Sequence, residues 1–165
     1  MLETAEASGA TVAALSGACE GAELERALAC DIRLAADTAT FSGEGLSDGA
    51  ATRLARLLGE ARAKDIVLTG RRFDAREALR LGIVTRVVEA ARLRDDARAI
   101  VALVASRPPL AVQAVKDAVE RARDLTPAQA LAAEHESFRR LLDTSDHREA
   151  VDAFFAKRRP AFEGR

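Results

Sequence analysis

Leu15-Ser-Gly-Ala-Cys-Glu-Gly-Ala-Glu-Leu-Glu-Arg-Ala-Leu-Ala-Cys-Asp31 is the stretch whose reading decides the fold. A strand-like run ends at Leu15, the small residues between Ser16 and Gly21 suit a tight turn, and a helix opens near Ala22. The first N–H groups of any helix lack intrahelical acceptors, and a helix start of this kind attracts negative charge. Glu25 stands one turn inside, close to whatever anion or polarised carbonyl those N–H groups would hold. A carboxylate beside such donors is an acid/base arrangement next to an oxyanion site. The same glutamate also reads as an ordinary acidic residue favoured by the helix dipole.

Working outward, Thr11–Leu15 reads as a strand, Leu24 and Leu28 give the helix an apolar i, i+4 pair, and Asp31–Ala35 reads as a second strand. Two strands joined by a short helix predict a β-α-β crossover. Upstream, Met1–Gly9 is polar and acidic and reads as a frayed end or the tail of an element begun elsewhere. Downstream, Phe41 precedes a glycine-dense loop, Ser42-Gly-Glu-Gly-Leu-Ser-Asp-Gly49, suited to line a pocket. A helix is predicted from about Asp48 to Leu58 with Gly59 as its stop, and another over Ala61–Thr69 closed by Gly70. Asp74-Ala-Arg-Glu77 is a capping-box pattern for a helix ending at Leu81-Gly82, and the β-branched run Ile83–Val88 follows as a strand.

After Val88 the pattern is nearly all helical. Leu93, Ala97, Ile100, Val101 and Val104 form one apolar stripe, and Val112, Val115, Val119 and Ala122 form another, with Ser106-Arg-Pro-Pro109 between them. Thr126-Pro-Ala-Gln129 combines an N-cap, a proline at the first helical position and a capping-box glutamine. It opens a helix with the stripe Leu131, Phe138 and Leu142, and a last helix starting near Asp146 carries Val151, Phe154 and Phe155.

Composition bounds the possibilities. A length of 165 residues is that of one ordinary domain. A 48% hydrophobic and 31% charged content is that of a folded chain rather than a disordered one. With 25 Lys and Arg against 26 Asp and Glu, no global field points to nucleic acid or a membrane surface. Cys19 and Cys30, with no secretory hydrophobic region before them, read as small buried fillers of a cytoplasmic protein rather than a disulfide pair. No apolar run is long enough to span a bilayer. His135 and His147 have no ligand spacing with the cysteines or each other, so no metal site is expected. Neither a Walker nor a dinucleotide fingerprint follows a strand, and Ser16-Gly17 is not a nucleophile elbow.

Four ordered segments resemble the enoyl-CoA hydratase/isomerase, or crotonase, superfamily. They are Ser16-Gly17 through Cys30-Asp31, Leu68-Thr-Gly-Arg-Arg-Phe-Asp-Ala75, Ala78-Leu-Arg-Leu-Gly-Ile-Val84, and Asp146-His-Arg-Glu-Ala-Val-Asp-Ala-Phe-Phe-Ala-Lys-Arg158. The resemblance runs through the whole chain and implies an α/β, ClpP/crotonase-like fold, N-terminally truncated, with a C-terminal all-helical extension. It implies a partial α/β core over residues 1–88 and a helical region over 89–165 for oligomerisation and active-site cover.

The resemblance also implies chemistry. Glu25 matches the family's first catalytic glutamate, and Ala22, beside Gly21, matches the residue whose backbone N–H forms one arm of the oxyanion hole. Ala22 and Glu23 stand where the family has glycine. Aligned from Phe41, Gly45 falls at the position of the second glutamate, which leaves Glu44 as a shifted candidate in a shortened loop. Lys157 resembles the C-terminal region that lies near the CoA adenine and the subunit interface, and it also reads as a surface lysine beside core aromatics. The expected substrate is an acyl-CoA, hydrated or isomerised at its 2-enoyl double bond, with coenzyme A as part of the substrate and no separate cofactor. The expected partners are further copies, in a trimer or hexamer, or a chain supplying the N-terminal half. The alternative is a catalytically impaired remnant that serves as a binding or oligomerisation module.

Overall fold

The computed structural model describes residues 2–47 and 49–165. Strand β1 (Leu2–Ala7) turns through Ser8–Gly9 into β2 (Ala10–Leu15), which is followed by the short β3 (Ala18–Cys19) and helix α1 (Gly21–Ala29). Next come β4 (Ile32–Ala36), β5 (Thr40–Ser42), α2 (Ala50–Leu58), α3 (Glu60–Thr69), β6 (Arg72–Asp74), α4 (Ala75–Leu81) and β7 (Arg86–Val88). A 3-10 turn at Ala90–Arg92 leads to α5 (Leu93–Ala105), α6 (Pro109–Arg121), α7 (Pro127–Leu142) and α8 (Ser145–Phe155).

Two sheets result, a four-stranded one ordered β1-β2-β4-β7 and a three-stranded one ordered β3-β5-β6. β2 and β4 run parallel with Val12 opposite Ile32 and Leu15 opposite Ala35, so the predicted β-α-β unit forms around α1. Both strands are buried along most of their length, and they are mostly apolar for that reason, Arg33 in β4 being the charged exception. β7 adds parallel to β4, and Thr85 ties the join by donating from its N–H to the Arg33 carbonyl at 2.8 Å. In the smaller sheet β5 pairs with β6 so that Phe41 lies opposite Phe73, their rings stacked at 5.6 Å.

Two compact units divide the chain. The first holds residues 1–6 and 11–101, and the second holds residues 7–10 and 102–165. The first contains the largest fully buried side chains, among them Leu15, Leu24, Leu34, Phe41, Leu54, Ile66 and Ile83. After β7 every element is helical.

The stop and start signals act as the chemistry requires. Gly70 and Gly82 end α3 and α4 in the left-handed conformation. The Asp74 carboxylate accepts the Glu77 N–H at 2.7 Å, and Thr126 and Gln129 close a full capping box.

Other expectations are corrected. Leu2–Gly9 is no frayed end: β1 forms a hairpin with β2, and Ser8 and Gly9 both have positive φ, as a two-residue hairpin turn needs. The β-branched run from Ile83 yields a strand only over Arg86–Val88, because the Ile83 N–H returns to the Ala78 carbonyl at 2.9 Å as part of the stop of α4. The predicted start of α2 at Asp48 lies outside the described residues, as does Met1, and the helix runs from Ala50. In the second unit the stripe Leu131, Phe138, Leu142 is an exposed face, and Phe154 and Phe155 are 78% exposed rather than core. Cys30 is half-buried, whereas Cys19 is fully buried.

Among the described residues, no single helix is long and apolar enough to cross a membrane.

Candidate functional site

α1 is delivered by β3. Glu20 at the N-cap is extended (φ −143°, ψ 165°), and Gly21 then turns the chain into the helix with φ +50°. That conformation favours glycine, which has no Cβ to strain it. The backbone here is also crowded, since a Cβ on Gly21 would stand 3.3 Å from the Gly45 carbonyl oxygen. No side chain caps the helix, so its first turn lacks the oxygen that a Ser, Thr or Asp cap supplies. The Gly21 N–H donates to the Glu44 carbonyl at 3.1 Å, and the Glu23 N–H to the Glu20 carbonyl at 3.2 Å. Ala22, exposed between them, stands in the turn where helix geometry leaves N–H groups without intrahelical acceptors.

Glu25 lies on the same helix one turn on and is half-buried. Its Oε1 accepts the backbone N–H of Ser47, so the glycine-dense loop orients the carboxylate. That loop is fastened at its root by Ser42. The buried Ser42 hydroxyl donates to the Gly70 carbonyl and accepts the Glu44 N–H, both at 3.0 Å. Gly43 allows the close passage past α3, because a Cβ there would lie 2.0 Å from the Ile66 carbonyl oxygen. The loop thus lies over the first turn of α1 and touches it at Gly21 and Glu25.

Glu44 reaches the helix through its carbonyl. Its exposed carboxylate is 3.9 Å from Arg72, whose guanidinium also meets Glu20 at 3.3 Å. Arg72 faces Ser42 across the β5–β6 ladder, which sets its side chain beside the loop. Gly45, aligned with the second glutamate, has φ +68° and lies against the Gly21 backbone, a Cβ on it standing 3.7 Å from the Gly21 Cα. The first unit therefore brings Gly21, Ala22, Glu25 and the backbone of Glu44 together.

Lys157 belongs to the second unit, just past α8, with φ +51° and its N–H donating to the Phe154 carbonyl at 3.2 Å. Cys19, next to the site in sequence, is no nucleophile, because burial, aided by the nearby Glu23 carboxylate, pushes its thiol up to about 12. Sequence reasoning missed Ser42, Ser47 and Arg72. Ser47 acts through a backbone group that leaves no mark in the sequence, and Ser42 and Arg72 are placed by strands of three residues, too short for a period.

The enoyl-CoA hydratase/isomerase family model matches residues 3–165. A probable enoyl-CoA hydratase of Rhizobium meliloti is 39% identical over 160 residues, which are 93% of this chain and 62% of that protein. The crystal structure of an enoyl-CoA hydratase subunit I from Geobacillus kaustophilus superposes with a TM-score of 0.86 at 34% identity, covering 96% of this chain and 64% of that one. A putative enoyl-CoA hydratase/isomerase from Mycobacterium abscessus gives a TM-score of 0.84 at 38% identity, covering 93% and 62%. The chain spans a little over three fifths of the length of these relatives. It carries the crotonase-like α/β fold and belongs to the enoyl-CoA hydratase/isomerase family.

Proposed function

We propose that this chain acts on acyl-CoA thioesters, adding water to a 2-enoyl-CoA or shifting its double bond. The observation that carries the reading is the shared helix. The first-turn N–H of Ala22 and the carboxylate of Glu25 are one turn apart on α1, and the loop holds that carboxylate through Ser47. In hydration, a water oxygen bonds to C3 while the C2=C3 pair moves toward C2 and the thioester oxygen. The Ala22 N–H would meet the charge developing on that oxygen, where one preorganised donor is worth about 3 kcal/mol. Glu25 takes the proton from water. A second carboxyl in its protonated form then delivers its proton to C2 and is restored by the proton that Glu25 passes back through solvent, and Glu44, released from Arg72 and protonated, is the residue proposed for it. Gly21 contributes its conformation, since its N–H is engaged by Glu44.

The test is the loss of enone absorbance from crotonyl-CoA. Glu25→Gln keeps the shape and the Ser47 contact but removes the base, and it should lower kcat at least 100-fold with KM little changed. Turnover unaffected by Glu25→Gln overturns the mechanism.

A second reading, a binding or oligomerisation module, is favoured by the apolar residues exposed on α6, α7 and α8, among them Val115, Val119, Leu131, Phe138, Phe154 and Phe155. A stable assembly with no acyl-CoA affinity by calorimetry would support it over the enzyme.

A further inference from the structure

The charged side chain that β4 carries into the first unit lies behind α1. Arg33 is 8% exposed, and its guanidinium donates to three carbonyls. Nε donates to Ile83 O at 2.6 Å, and Nη1 donates to Cys30 O and, at 3.5 Å, to Ala27 O. Ala27 lies in the last turn of α1, where its carbonyl also accepts the Cys30 N–H at 3.1 Å, and Cys30 is the C-cap, so the guanidinium sits at the negative end of the helix. Ile83 lies in the segment that leads into β7, and the Arg33 carbonyl in turn accepts from both the N–H (2.8 Å) and the hydroxyl (2.9 Å) of Thr85. One residue thus joins the back of α1, the middle of β4 and the approach to β7.

At about 1.5 Å per residue, the nine residues of α1 put this cation only about 14 Å behind the helix start. Over so short a helix the negative pole offsets part of the field at the positive pole, and a guanidinium seated on the terminal carbonyls removes that offset. The fork also fixes the helix against rotation and sliding, because its donors are rigid and coplanar.

We propose that Arg33 is a positioning residue for the thioester site. Its guanidinium anchors the rear of α1 and covers the negative pole of the helix, so that the Ala22 N–H meets the thioester oxygen in a fixed direction and an unopposed field. The inference rests on the reading of α1 as the thioester-binding helix.

The test uses the full chain saturated with butyryl-CoA labelled with carbon-13 at the thioester carbonyl, an unreactive ligand whose infrared carbonyl band moves to lower frequency when its oxygen is polarised. Saturation, set by calorimetry for each variant, makes the band report polarisation rather than occupancy. The unsubstituted chain should show the downshift. Arg33→Lys, which keeps the charge, should retain most of it, and Arg33→Gln should lose at least half. Cys30→Asp leaves the Arg33 contacts to backbone carbonyls in place and adds a negative charge at the C-cap of α1, so it should also reduce the downshift, and it covers the case in which Arg33→Gln does not fold. A full downshift in Cys30→Asp together with a full downshift in, or failure to fold of, Arg33→Gln overturns the role of Arg33 while leaving the thioester site standing. Bound ligand with no downshift in the unsubstituted chain overturns both.

Discussion

Gly43 shows how a single residue controls the approach of the loop to the site. A side chain at this position would drive its Cβ to 2.0 Å from the Ile66 carbonyl oxygen, a backbone atom that cannot swing aside. Gly43→Ala should therefore cost about 3 kcal/mol, read as a lower urea midpoint at unchanged slope. Cys19 gives a second prediction at this scale. Its thiol ionises near 12 in the folded chain against 9.0 in the open one, so the fold favours the protonated form. The resulting stability is complete below about pH 9 and is lost as pH rises from there toward 12. At pH 8 a maleimide should label the half-buried Cys30 in the native chain and reach Cys19 only on unfolding. Equal labelling of both in the native state would show that Cys19 is not held in this environment. Glu25 was legible from the sequence because a helix start and a carboxylate one turn later are both local. Ser47 was not, since its contribution is an N–H brought across by the fold.

At the scale of elements, local signals and distant contacts divide the account of the structure between them. The helices announce themselves: Thr126 with Gln129, Asp74 with Glu77, and the glycines after α3 and α4 each act within a few residues of chain. β3 and β6 are legible only through their partners, because strands of two and three residues exist by virtue of the ladder they join. β1 was missed for a related reason. Four of its six residues are exposed, so it carries none of the apolar run that marks β2 and β4. The segment after α8 is another element that sequence alone did not show. The Asp146 carboxylate, 2% exposed in the residue as a whole, accepts the N–H groups of Glu163 at 2.8 Å and Gly164 at 2.9 Å. One turn further, Glu149 takes a bidentate ion pair from Arg158 and the Ala161 N–H at 2.8 Å. Two carboxylates on one helix face thus clasp the returning chain. Asp146→Ala should leave two donors without their acceptor, cost about 2 kcal/mol, and speed amide exchange at Glu163 and Gly164. Exchange at those amides unchanged from the unsubstituted chain would show that the clasp does not hold the segment.

For the molecule as a whole, the distribution of apolar surface is what its own fold leaves unsolved. The first unit holds the largest fully buried side chains, although Leu68 and Leu79 are exposed, whereas none of the residues of α6 or α7 is fully buried. Their apolar stripes were correctly read as helix faces, but a periodic pattern gives a face without saying what covers it. Leu131 and Phe138 are two turns apart on α7 and both exposed, with Leu142 one turn further on the same side. Val115 and Val119 repeat the arrangement on α6. Isolated exposed leucines need no explanation, but contiguous faces of this extent mark contact surfaces. Charge does not oppose self-association, since the net charge of the chain is −1. A second copy, closing into a ring of three or six, is the assembly proposed for these faces, and light scattering coupled to size exclusion tests it directly. The unsubstituted chain should elute at an integral multiple of 17.6 kDa. The double substitution Leu131→Glu, Phe138→Glu places two charges on a face already in contact with water in the lone chain, so folding should survive and circular dichroism should be unchanged. Burying those charges in an assembly would cost several kcal/mol per contact, enough to move the mass to that of one chain. A single-chain mass before any substitution would instead mean that these faces receive a different partner.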